Sequence, residues 1–156
     1  MSTEKALETL ENVRQNIRSH LTEGVKNRHS DFRTFTFCTS GSMPTGRTVV
    51  LRGYDSEKKI ITLHSNYYAE KIEQLKINNE VCCVFYSKSK KIQIRCFGNA
   101  TINHGNEKSS HAWKNMSDMS KECYFQTPNP GSSISKYNDF SKSVKNEESE
   151  SFTTVH

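Results

Sequence analysis

Long apolar runs are missing from this chain. No stretch approaches the ~20 consecutive apolar residues that a membrane-spanning helix needs, and the first residues, MSTEKALETL, are charged rather than signal-like. Hydrophobic residues make up only 33% of the 156, and the last third is the poorest in them. A core built mainly from residues before about 125 is therefore expected, in one domain. The catalytic signatures G-x-S-x-G, G-x-x-x-x-G-K-[ST], G-x-G-x-x-G and H-E-x-x-H are absent, so no nucleophile–base set is expected and any chemistry falls to a cofactor. C-x-x-C is absent too. The five cysteines are odd in number, and the adjacent Cys82 and Cys83 of an apolar strand point to opposite faces. That speaks against a disulfide framework and a metal site, and for buried free thiols in a cytoplasmic protein. Charge of one sign is only mildly in excess, at +5. An anionic ligand suits it as well as nucleic acid does. The one basic run, Lys88-Ser89-Lys90-Lys91, lies where a solvated loop belongs, so nucleic acid is not the expected partner.

Periodic segments are what the chain does have. Leu7, Leu10, Val13, Ile17, Leu21 and Val25 recur at three or four residues, which predicts an amphipathic helix over 3–27 capped by Ser2 or Thr3, with His20 at the edge of its stripe. Asp31–Ser40 predicts a strand with Phe35 and Phe37 on one face. The stretch from Arg47 to Gly98 organises the rest: strand Arg47–Arg52, strand Lys59–Ser65, a helix from Tyr67 to Asn79 capped by Asn66, then strands Val81–Tyr86 and Lys91–Gly98. The first two strands are expected to form an antiparallel hairpin and Val81–Tyr86 to be central. Thr101 and Ile102 extend the last strand past a bend at Gly98. Helical spacing returns over 106–123. Residues 132–156 are a Ser/Lys/Glu/Asn tract, expected to be a flexible tail or the start of a further strand at Ser-Phe-Thr-Thr-Val-His. The predicted architecture is mainly β with flanking helices, an antiparallel barrel domain over 1–131.

Arg47, Arg52, His64, Ser65, Lys71 and Gln93 stand at strand ends or near a helix start. A helix N-terminus supplies unpaired N–H groups, and Ser65, Lys71 and a forked donor from Arg47 complete a phosphate site. Gln93 lies on the polar outer face of its strand.

The order Arg47-Thr-Val-Val-Leu-Arg52-Gly, Leu63-His64-Ser65-Asn66, Lys71 and Gln93-Ile-Arg-Cys-Phe-Gly98 resembles the pyridoxamine 5'-phosphate oxidase family of flavoproteins, over roughly residues 5 to 131. The stretch Trp113 to Gly131 resembles a branch of these FMN proteins with mostly unassigned substrates. The resemblance implies a six-stranded-type antiparallel split β-barrel, a homodimer, FMN at the subunit interface and hydride transfer from a small substrate to flavin N5. It also assigns Arg47, Val49, Val50, Arg52, His64, Ser65, Lys71 and Gln93 to the cofactor, with Trp113 and Ser120 on the substrate side. Glu70 replaces an arginine of the family's phosphate set, and the family's closing C-terminal strands would follow His156. A non-catalytic or truncated flavin-binding protein is the alternative, and a basic interaction module using Lys88–Lys91 is an alternative of another class.

Overall fold

The computed structural model describes residues 9–136, 141–142 and 149–156. Ser2, Thr3 and Leu7, assigned above to the first helix, lie outside them. Helix α1 spans Leu10–Lys26, and its N-cap is Thr9, whose hydroxyl accepts from the Asn12 N–H. Leu10 and Val13 are exposed, so only the later part of the stripe, Ile17, Leu21 and Val25, meets the core.

The strands are β1 (Thr34–Ser40), β2 (Pro44–Val50), β3 (Gly53–Asp55), β4 (Ile60–Asn66), β5 (Glu80–Ser87), β6 (Ile92–Asn99), β7 (Ile102–Asn103), β8 (Gln126–Thr127), β9 (Ser141–Lys142) and β10 (Phe152–Val155). They form a sheet of order β2-β1-β5-β6, a second of order β3-β4-β10-β7 and a small β8-β9 ribbon. Every pairing is antiparallel. The two four-stranded sheets face each other without closing, a split barrel as expected. Val81–Tyr86 lies inside its sheet, also as expected. Between the sheets pack Phe35, Phe37, Phe85, Ile94, Leu51, Leu63 and Val155, with Leu21 of α1 and Ile72 and Leu75 of the second helix. The Phe35 and Phe85 rings stack at 4.6 Å.

Two expectations are corrected. Arg47–Arg52 does not pair with Lys59–Ser65: β2 pairs with β1, and β3 makes the hairpin with β4. The chain changes sheets at Leu51–Arg52, where the Leu51 N–H still bonds the Arg33 carbonyl (2.8 Å) and the Arg52 N–H already bonds that of Thr62 (2.9 Å). Alternation runs unbroken through this bend, so the pattern carries no sign of it. Helix α2 spans Glu70–Ile77 and starts later than expected, because the Asn66 side chain accepts from Tyr68 N–H (2.8 Å) to make a turn first. Tyr67 leaves the helix to stack on His104 at 3.6 Å. Most of the core lies before residue 125, and β10 adds Phe152 and Val155 to it as an inner strand of the second sheet. Its residues are few but every one is buried, which the poor composition around them conceals.

Helices α3 (Glu107–Lys114) and α4 (Asp118–Lys121) follow, with a 3₁₀ turn over Glu122–Phe125. Asn106 and Ser109 cap α3 reciprocally, the Asn106 side chain accepting from Ser109 N–H (3.1 Å) and the Ser109 hydroxyl from Asn106 N–H (3.0 Å). A second core holds Trp113, Met116, Tyr124, Phe125 and Phe152. Among the described residues no helix is long and apolar enough to cross a membrane.

Candidate functional site

Alternation along β4 sends His64 and Ser65 to opposite faces, and the candidate residues divide accordingly. On the inner side, at the barrel end, the Lys71 ammonium donates to Ser65 Oγ at 3.0 Å. Lys71 stands in the first turn of α2, one turn closer to its N-terminus than the sequence reading placed it. Arg47 of β2 is half-buried beside it. Its guanidinium donates to the Phe37 carbonyl (3.1 Å), Thr39 Oγ1 (2.6 Å) and Thr45 Oγ1 (2.7 Å), and at 3.4 Å to Gln74 Oε1. Gln74 Oε1 also accepts from Thr39 (2.5 Å) and Thr45 (2.9 Å). Burial lowers the pKa of Arg47, opposed by the Glu70 carboxylate. Burial, and after it the Arg47 charge, lowers that of Lys71. Two cations thus share a partly desolvated end of the barrel, and among the described residues neither is in a salt bridge. Glu70 does not fill that role, since its carboxylate accepts from the Gln74 amide at 3.0 Å. Unpaired buried charge is costly, and a dianionic phosphate relieves it with charge-assisted hydrogen bonds. The residues present fit the phosphate end of a flavin mononucleotide.

Thr39, Thr45 and Gln74 were missed. Thr39 continues the inward period of Phe35 and Phe37, and Gln74 lies on the buried side of α2 beside Leu75. A polar residue continuing an apolar period was the available signal.

On the other face of the second sheet lies a cleft of about 770 Å³, lined by Arg52, Thr62, His64, His111, Ser120 and His156 among others. Among the described residues the buried His64 Nδ1 has no hydrogen-bond partner. Burial, helped by the Arg52 charge and then His156, lowers the imidazole pKa to about 4. His156 is lowered as well, by burial and the nearby Lys108. The cleft is rich in basic groups, with Arg33 and Lys108 also on its walls beside the carboxylate of Glu107. The Arg33 guanidinium is committed to the carbonyls of Gly24, Val25 and Leu51, which leaves Arg52 the more available fork.

The remaining candidates are spread out. Val49 packs against the core, and Val50 lies opposite Thr34 on the outer face. Gln93 is exposed on β6 opposite Tyr86. Ser120 lines the cleft, whereas Trp113 is only 6% exposed, inside the second core. Of the cysteines, Cys83 is buried and Cys38, Cys82 and Cys96 are half-buried, while Cys123 is exposed, contrary to the expectation for all five. The Lys88–Lys91 run is an exposed turn. Among the described residues no cluster of His, Cys, Asp or Glu forms a metal site.

Similarity to known proteins agrees with this geometry. No curated protein matches the chain. Among solved structures, a pyridoxamine 5'-phosphate oxidase-related, FMN-binding protein from Nostoc punctiforme superposes with a TM-score of 0.72 at 17% identity, over 90% of this chain and 78% of that one. General Stress Protein 26 from Bacillus anthracis superposes with a TM-score of 0.57 at 13% identity, over 90% and 86%. A protein from Clostridium acetobutylicum related to general stress protein 26, of the pyridoxinephosphate oxidase family, gives 0.55 at 16%, over 86% and 82%. At such identities these likenesses establish the fold. The family is established by the match of residues 11–104, more than half of the chain, to the model described as pyridoxamine 5'-phosphate oxidase, FMN-binding domain. This chain therefore belongs to the pyridoxamine 5'-phosphate oxidase FMN-binding domain family, whose cofactor is FMN.

Proposed function

We propose that this protein is an FMN-dependent oxidoreductase acting on a small anionic substrate, as a homodimer with the flavin between subunits. The carrying observation is the half-buried Lys71–Ser65 contact beside Arg47, two cations that among the described residues have no salt-bridge partner. They hold the phosphate, with Thr39, Thr45 and Gln74 fixing the Arg47 fork. When bound, FMN supplies the redox chemistry, acceptance of a hydride at N5 from the substrate. Arg52 reads substrate charge in the cleft, His64 presents an imidazole held neutral above about pH 4, and Ser120 offers a hydroxyl. Support for a dimer comes from the outer face of the first sheet, where Gln93 lies opposite the exposed Tyr86 (54%), and Phe97 (73%) projects from the same strand beyond Arg95. Large apolar side chains grouped on one sheet face are the mark of a protein contact.

The test is a titration with FMN followed by flavin fluorescence, repeated on Lys71→Ala and Arg47→Ala. Weaker binding in both variants is the expected result. Equal affinity in both refutes the phosphate site, and a colourless wild type that FMN neither binds nor stabilises refutes the flavin reading. Bleaching of bound flavin near ~450 nm by an added anionic amine under anaerobic conditions then tests turnover.

A further inference from the structure

The first sheet carries two cysteine pairs that face each other directly across neighbouring strands. Cys83 of β5 is opposite Cys96 of β6 on the inner face, and Cys82 of β5 is opposite Cys38 of β1 on the outer face. In the inner pair Cys83 is buried and its thiol is pushed up to about 12 by that burial, while Cys96 is half-buried. The outer pair is different. Both thiols are half-exposed and free. Residues directly opposite in antiparallel strands have Cα atoms about 4.5 or about 5.5 Å apart. Disulfides bridge Cα atoms about 4.4–6.8 Å apart, so either kind of pair is close enough without moving the backbone. Beyond Cys38 the next residue across is Gly46 of β2, and a Cβ placed there would sit 3.7 Å from Cys38 Sγ. The Cys38 thiol thus lies over a gap in the side-chain cover. Cys82 has a cation near it: Arg95 shares its face and lowers its thiol pKa, against the larger raising effects of burial and of Cys38.

We propose that Cys38 and Cys82 form a reversible cross-strand dithiol–disulfide pair, an oxidation site that staples β1 to β5. The oxidant is a small disulfide. The Cys38 thiolate attacks one sulfur of it, forming a mixed disulfide and releasing one thiolate. The Cys82 thiolate then attacks Cys38 Sγ, forming the Cys38–Cys82 bond and expelling the second. Two protein thiols are oxidised, the small disulfide is reduced to two thiols, and two protons pass from the protein to them. The pair shares the outer face of the proposed dimer contact, Cys82 standing opposite Phe97, and Cys38 is near enough to Arg47 to raise its pKa, but the exchange itself needs no cofactor.

The experiment treats the full-length native protein with oxidised glutathione, alkylates the remaining thiols and maps the peptides by mass spectrometry. The expected product is a Cys38–Cys82 link, removed by dithiothreitol, with the buried Cys83 alkylated only after unfolding. Because the link closes a long loop, the oxidised protein should also melt at least several degrees higher. Cys38→Ser and Cys82→Ser should each abolish both effects. A glutathione adduct that persists on Cys38, a link between other cysteines, or no oxidation of the folded chain overturns the proposal. The wild-type peptide map stands by itself should either variant fail to fold.

Discussion

Two residues carry the proposed phosphate site at the barrel end. Lys71 and Arg47 are held together against their mutual repulsion, and each charge-assisted hydrogen bond to a phosphate is worth about 1.5–3 kcal/mol. Lys71→Ala and Arg47→Ala should each weaken FMN binding roughly 10- to 100-fold, read by flavin fluorescence. Arg47→Ala should do more to the local structure, because Thr39, Thr45 and Gln74 lose their shared donor. His64 makes a separate prediction. Its pKa is about 4 in the folded protein, against 6.5 for the free side chain. The unfolded state therefore takes up a proton first as pH falls. His64 contributes its full stability above about pH 6.5 and loses it progressively down to about pH 4, a change on the order of 3 kcal/mol. Urea denaturation at pH 7 and pH 5 should show the loss in wild type and a shallower one in His64→Phe. Much of the site was legible at this scale. Ser65, Lys71 and Arg47 announce themselves because a strand end and a helix start are local features. Thr39 and Gln74 do not, because their meeting depends on how β1 and α2 are placed by the whole sheet.

At the scale of elements, α1 shows how a helix is docked through its smallest residue. Gly24 faces the Phe32 backbone so closely that a Cβ would lie 2.8 Å from the Phe32 carbonyl carbon, and closer still to its oxygen. Alanine there gains up to about 1 kcal/mol of helix propensity, yet must push the helix off β1's leading loop. Gly24→Ala should be net destabilising by about 1–3 kcal/mol, measured as a lower urea midpoint at unchanged slope. The same contact sets His20 stacked on Phe32 at 4.6 Å, a packing role in place of a ligand role. Elements were readable wherever period and chemistry changed together, as in β5 or where helical spacing returns ahead of α3. The sheet change at Leu51–Arg52 was not, since Leu51 enters the core while the two-residue alternation simply continues. Strand β10 was legible only as one of two alternatives, since four buried residues after a polar tract leave a short pattern.

For the whole molecule, the outer face of the first sheet is what a second copy would cover. Phe97, 73% exposed, is its largest apolar projection, with the Arg95 guanidinium 5.8 Å from its ring centre. Phe97→Asp should shift the protein from dimer to monomer in sedimentation velocity and lower FMN affinity at the same time, because a site between subunits is lost with its second wall. A monomeric wild type with full FMN affinity would reject the shared site while leaving the Lys71 cluster intact.

Strand β10 has a consequence for how the protein is made. Its partners are Leu63–Asn66 on one side and Ile102–Asn103 on the other. Neither pairing exists until residues 152–155 have left the ribosome, almost ninety positions after β4 has emerged. During synthesis β4 waits with an open edge on that side, and so does β7. Contacts this distant in sequence slow folding, and waiting edges invite wrong partners. Nascent chains stalled before Phe152 should therefore be bound by chaperones and cut readily by protease, and the full chain should become resistant in a single late step.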